Sequence, residues 1–247
     1  RGGGVCAEEV RKVRSGKPVA VFAVLLVVSF ATMNAMPSDT LLAALLQEAV
    51  LALVALVAVG LAVPDALKRC TQTVQQRSIV RFTAITLLLV GLVGGAITLL
   101  AWLFAGGGTM ACFASTALPS TADLMENLLL LLGICLLTGL YEESFMRVLG
   151  IEAFERALDT KRTILASAAL FALLHVGAPD VSAGQLVLLQ TALKFGQALL
   201  FGVILGALYV RTRRLWPCAF IHAGFDVLYM SPNVLLTGTT PETYASG

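Results

Sequence analysis

Between Leu41 and Val63 the chain reads LLAALLQEAVLALVALVAVGLAV. One ionisable side chain, Glu48, interrupts a stretch whose length matches the roughly 20 apolar residues needed to cross a hydrocarbon core. A helix is the form such a stretch takes there, because hydrocarbon offers no partner to an open backbone N–H or C=O. The same criterion carried outward selects seven segments: Pro18 to Met36, Leu41 to Val63, Phe82 to Ala105, Leu124 to Met146, Thr163 to Gly177, Leu186 to Val210 and Leu215 to Met230. The fold expected is all-α, a polytopic transmembrane bundle of about seven spanning helices, or eight if one of the short segments hides a re-entrant pass. Composition agrees: 58% of the residues are hydrophobic, 13% are charged and the mean hydropathy is +0.88, far from the balance of a soluble domain.

Charge placement tests that count, because Lys and Arg are retained in cytoplasmic loops. Arg1, Arg11, Lys12, Arg14 and Lys17 precede the first segment, and Lys68, Arg69, Arg77 and Arg81 follow the second. Arg147, Arg156, Lys161 and Arg162 follow the fourth, and Arg211, Arg213 and Arg214 follow the sixth. All basic residues but Lys194 thus fall on one side of a seven-helix arrangement with a cytoplasmic N-terminus. The divisions expected are a cytoplasmic tail (1–17), N-terminal transmembrane helices (18–121), a transmembrane core (122–230) and an outer tail (231–247). The chain opens at Arg1 without Met, and its first apolar run is too long for a signal peptide, so a trimmed terminus leading into a membrane helix is expected. A net charge of +2 gives no footprint for nucleic acid. Cys6, Cys70, Cys112, Cys135 and Cys218 show no paired spacing and read as ordinary small residues. Trp102 and Trp216 suit the interface, Gly106 to Gly108 a flexible outer loop, and Leu149 to Arg162 an amphipathic helix at the cytoplasmic surface. The Gly202 to Gly206 run is read as internal helix packing rather than dimerisation.

An ionisable group within a membrane helix costs roughly 3 kcal/mol or more near the centre, so each needs a partner or a function. Those here are Glu48, Glu142, Glu143, His175, Lys194, His222 and Asp226. Glu143 stands one turn before Arg147, the favourable order for an ion pair, while Glu142 points about 100° away. Phe171 stands one turn before His175, and His222 one turn before Asp226. Singly, each has a bland reading: acids snorkelling at a helix end, a His bonded to a neighbouring helix, a polar tie between helices. Counted at 1.5 Å per residue from the cytoplasmic ends, Glu142 lies about 8 Å deep, His222 about 10 Å and His175 about 18 Å, so two agree and His175 is too deep.

Together these residues resemble the CPBP intramembrane proteases, which include the CaaX prenyl endopeptidases and bacteriocin-processing proteins. That family's EExxxR, FxxxH and HxxxN/D motifs match Glu142-Glu143-xxx-Arg147, Phe171-xxx-His175 and His222-xxx-Asp226, within a resemblance spanning about Glu126 to Tyr229. The resemblance implies an endopeptidase in which Glu142 and His175 activate water, and His222 with Asp226 stabilises the oxyanion. Glu143, Arg147 and Phe171 would support them. Asp stands where many members have Asn, and an ionised Asp cannot donate to an oxyanion, so Asp226 is expected to hold His222 as the imidazolium donor. No metal cofactor is expected; zinc bound by the histidines and carboxylates is the alternative. The partners implied are a peptide or lipidated protein substrate and the lipids of the cell membrane. Two other functions fit the polar residues: a proton-coupled transporter using Glu48 and Lys194, and a catalytically silent immunity or scaffold protein.

Overall fold

A computed structural model describes residues 16–36, 38–71, 80–86, 88–89, 119–176 and 185–239. Among these the regular structure is entirely helical. Helix α1 (Lys17–Ala35) starts with Pro18 in its first turn, where a missing N–H is harmless. Thr40 caps α2 (Leu41–Ala62) by accepting from the Ala43 N–H at 3.2 Å. Helix α3 (Pro64–Thr71) is short, with Asp65 in its first turn and Lys68 and Arg69 in its last, complementing the helix dipole. A reciprocal capping box between Ser120 and Asp123 begins α4 (Thr121–Glu143). The helix then widens into a π-helical stretch, Ser144–Ile151, and closes with one α turn, α5 (Glu152–Phe154). Helices α6 (Thr160–Val176), α7 (Gln185–Thr212) and α8 (Leu215–Thr237) complete the fold, α8 ending on the left-handed Gly238.

Helix α4 packs between α2 and α8, α6 packs on α7, and the π-helical stretch touches α1, α2, α6 and α7. Its residues Ser144 to Ile151 are all buried. They stand in a core with Leu51 and Ala55 of α2, Phe171 of α6, Leu205 and Tyr209 of α7 and Ile221 of α8. A smaller core joins Leu41 and Ala44 to Leu131, Ile134, Cys135, Ala223 and Val234. The outward faces are apolar instead of charged: Val27 and Phe30, Leu53 and Leu61, Leu129, Leu173, Leu193 and Leu200 are all exposed. Such a belt has lipid as its natural solvent.

Four helices are long and apolar enough to cross a membrane: Lys17–Ala35, Leu41–Ala62, Thr121–Phe154 and Thr191–Thr212. These make the chain a membrane protein of helical class. The third expected span, Phe82 to Ala105, lies outside the described residues except for 82–86 and 88–89, as do Cys6, Cys112, Trp102 and Gly106 to Gly108. Helix α6, at 17 residues, is one turn longer at its start than the expected fifth segment, and α8 continues seven residues past Met230 into the expected outer tail.

One expectation is corrected. Leu149 to Arg162 is not one amphipathic surface helix; its first part is the buried end of the α4 rod, Glu152–Phe154 forms a further helical turn, and Thr160 to Arg162 already belong to α6. Charge pairing explains this better than amphipathicity. Arg213 binds Glu155 at 2.6 Å and Glu152 at 3.3 Å, and Arg69 binds Glu152 at 2.9 Å. The acids are thereby turned toward the basic connections, while Phe154 sets its ring edge on Phe22 at 5.4 Å. Hydrogen bonding to Glu155 pushes the Arg213 guanidinium above its already high ordinary value. Arg213 holds a left-handed backbone, φ 51°, at this junction.

Close helix approach depends on small residues. Gly202 and Gly206 both face α6, where an added Cβ would meet Ala168 at 3.0 Å and Ile164 at 3.2 Å, so the run packs internally. At Gly139 the constraint is severe, since a Cβ would lie 2.6 Å from the Ala219 carbonyl oxygen and 3.2 Å from the Ala223 nitrogen. Those atoms are helix backbone and cannot turn aside. Gly139→Val is expected to cost about 1–3 kcal/mol by forcing α4 from α8. Thermal unfolding in detergent checks this, and an unchanged midpoint would contradict the close packing.

Candidate active site

Three helices supply the polar cluster. Glu142 and Glu143 end α4, His175 lies in the last turn of α6, and His222 lies two turns into α8. The depth mismatch noted for His175 disappears, because α4 does not stop near Met146. Its rod runs on to Phe154, so Glu142 sits deeper than its distance from Met146 implies.

Glu142 is the point of convergence. Its Oε2 lies 3.6 Å from His175 Nε2 and 3.5 Å from His222 Nε2, and this buried oxygen has no hydrogen-bond partner. Both rings are turned to it by their other nitrogens. His175 Nδ1 lies 2.8 Å from the Phe171 carbonyl oxygen. A carbonyl only accepts, so Nδ1 carries hydrogen and Nε2 is the nitrogen that can exchange a proton with Glu142. His222 Nδ1 lies 2.9 Å from Glu143 Oε1, which fixes the same tautomer when Glu143 is ionised. Asp226 Oδ2 stands 3.6 Å from His222 Nε2.

Glu143 pairs with Arg147, Nε to Oε2 at 3.0 Å, with both side chains fully buried. Neither of those two atoms has a well-aligned hydrogen bond, so charge rather than hydrogen-bond geometry holds the pair. The guanidinium is further held by Ser167 Oγ at 3.2 Å and lies over the Phe171 ring at 4.8 Å. Ser167 in turn donates to the Met146 carbonyl at 2.9 Å. Phe171 also lies against His175, tilted by 37° with ring centroids 4.2 Å apart, and Phe201 meets His222 edge to face at 5.2 Å.

Glu142, Glu143, Arg147, Phe171, His175, His222 and Asp226 therefore meet in one cluster. Sequence reasoning missed Ser167, the contact of Phe201 with His222 and the bond from Glu143 to His222. Ser167 had a signal, since it stands one turn before Phe171 and two before His175 on one helical face. The other two contacts join separate helices and leave no local pattern. Glu48 faces Thr138 and the electrostatic field of Glu142, His222 and Asp226. Lys194 lies on α7, the helix packed against α6. Among the described residues, no group of three or more His, Cys, Asp or Glu side chains is disposed to hold a metal ion.

Fold and site together define a helical membrane protein with a carboxylate–imidazole cluster enclosed by its core helices. Residues 124–228, from early α4 to the middle of α8, match the family model described as Type II CAAX prenyl endopeptidase Rce1-like, so this region is similar to that family. The matched family is one of proteases, hydrolases with a peptide or protein substrate. No curated protein and no solved structure matches the chain.

Proposed function

We propose that this protein is an intramembrane endopeptidase that cuts peptide or membrane-tethered substrates near the cytoplasmic face of the cell membrane, using a water activated by Glu142 and His175. The observation that carries the reading is the unpartnered Glu142 oxygen lying 3.5 and 3.6 Å from two imidazole nitrogens. Glu142 takes a proton from water as the oxygen attacks the scissile carbonyl. His175 shares that proton through Nε2, and the pair delivers it to the departing amine, which breaks the C–N bond. His222, kept as imidazolium by Glu143 and Asp226, donates from Nε2 to the oxyanion. Asp226 then serves as a counter-charge and not as the donor. Glu143 and Arg147 set the position of His222, and Phe171 sets the tautomer of His175.

The orientation proposed is N-terminus inside, with seven spans, supported by the alternation of basic connections. It puts the Arg69, Arg213 and Glu155 network on the cytoplasmic face and the cluster within reach of it. Product mapping against a peptide library in detergent, with an E142Q control, tests the activity. Defined internal cuts by the native chain that the control lacks support the reading, and cuts common to both overturn it.

Catalysis is proposed to need no metal, a reading supported by the donor positions: each histidine spends one nitrogen on a carbonyl or carboxylate, leaving the other on Glu142. Cleavage is expected to persist after exhaustive chelation. Activity that vanishes on chelation and returns with added zinc would replace this mechanism by a metal-assisted one.

A further inference from the structure

Helix α6 carries His175 but packs along α7, where Ile164 and Ala168 lie against Gly206 and Gly202. It meets the α4 rod at the π-helical stretch. The distance from His175 to Glu142 therefore depends on how α6 is seated there. Ser167, Phe171 and His175 stand four residues apart on one face of α6, and the first two touch the rod through Arg147.

Ser167 does not bond as a hydroxyl inside a helix usually does. Such a group turns back to the carbonyl four residues earlier, as Thr32 does to Val28 at 2.9 Å and Thr212 to Leu208 at 2.8 Å. Ser167 Oγ instead donates across to the Met146 carbonyl at 2.9 Å, with the side chain fully buried. Its one hydrogen is thereby committed, so it is an oxygen lone pair that accepts from Arg147 Nη1 at 3.2 Å. Two consecutive residues of the rod thus hold the hydroxyl from both sides.

Arg147 takes its direction from that bond. Its Nε and Nη2 have no aligned hydrogen bond, and charge attraction to Glu143 sets a distance more than an angle. Among the described residues Ser167 is the acceptor that orients the guanidinium, which then lies over the Phe171 ring at 4.8 Å. Phe171 in turn holds His175 Nδ1 on its carbonyl oxygen at 2.8 Å. The contacts between α6 and the rod so run without a break from Ser167 to the imidazole.

We infer that Ser167 is a positioning residue of the active site, a hydroxyl bracket that seats α6 on the α4 rod and sets the reach of His175 Nε2 to Glu142 Oε2. This rests on the peptidase reading above. Ser167 acts through His175 and exchanges no proton with substrate.

The test uses the full chain in detergent, assayed on whichever library peptide the native protein cuts. S167A is expected to lower kcat about tenfold with KM little changed, since displacement of a catalytic group is felt chiefly in the transition state. S167T keeps the hydroxyl and should restore most of that loss. In an H175A background S167A should change kcat less than about twofold, because the residue it acts through is gone. Native kcat in S167A, no rescue by a folded S167T, or a full loss that persists beside H175A would each overturn the inference. If S167A does not fold, S167C replaces it under the same outcomes, a thiol filling the space while bonding only weakly. The chain has two histidines, so nitrogen-15 labelling of histidine resolves both rings. A His175 signal that moves in S167A and returns in S167T supports the seating, and one that stays in place overturns it. That readout stands apart from activity, whereas cleavage that survives in E142Q sinks the peptidase reading.

Discussion

Replacing Glu142 by Gln is expected to lower kcat for peptide cleavage by about 10²–10⁴-fold, the usual contribution of a positioned general base. The change is small in shape and removes only the ability to take a proton. Glu142 is 19% exposed and, unlike Glu143, is not locked between a guanidinium and an imidazole, so the amide fits without a new unpaired charge. KM should stay within a few fold, because the interaction lost is made chiefly in the transition state. The comparison with E143Q is informative. Glu143 acts through His222, and its loss should disturb folding as well as rate, since Arg147 would be left without its counter-charge. An E142Q protein that retained more than about a tenth of native kcat would remove Glu142 from the base role. Steady-state kinetics on a mapped peptide, with a thermal melt to confirm folding, provide the measurement.

Arg147→Met is expected to be the most destabilising single change in the core, at about 3–5 kcal/mol, the usual cost of breaking a buried ion pair from one side. Arg147 and Glu143 are both wholly buried, and the guanidinium also meets Ser167 and the Phe171 face. Removing it leaves an anion with only His222 for compensation. Adding E143Q should recover much of the stability, because the double variant contains no stranded charge. Activity should not recover with it, since His222 loses the carboxylate that orients its ring and supports its positive charge. Thermal unfolding and cleavage measured on the same preparations distinguish these effects. A single variant as stable as the native chain would mean that the pair contributes nothing, and recovery of activity in the double variant would remove Glu143 from the positioning of His222.

Much of the site was legible because its motifs are local. Glu143 with Arg147, Phe171 with His175 and His222 with Asp226 each lie one turn apart, and a single helix sets that spacing whatever surrounds it. The depth of Glu142 relative to His175 was misjudged for a local reason too. The fourth segment ends in sequence where Arg147 appears, but Arg147 is compensated by Glu143, so the charge does not end the buried run. The helix passes it in π geometry to Ile151. A cost assigned to one charge by itself fails once its partner is a turn away.

By itself, then, the sequence determined the helical class, the apolar lengths and the turn-by-turn pairs, because backbone hydrogen bonding in hydrocarbon and helical periodicity act over neighbours in the chain. Only the tertiary structure decided which nitrogen of each histidine meets Glu142 and that Glu143 serves His222. Those relations depend on how helices far apart in sequence are rotated against each other. Rotation is set by packing of the kind seen where Gly139 lies against the Ala219 backbone, and no single helix encodes it.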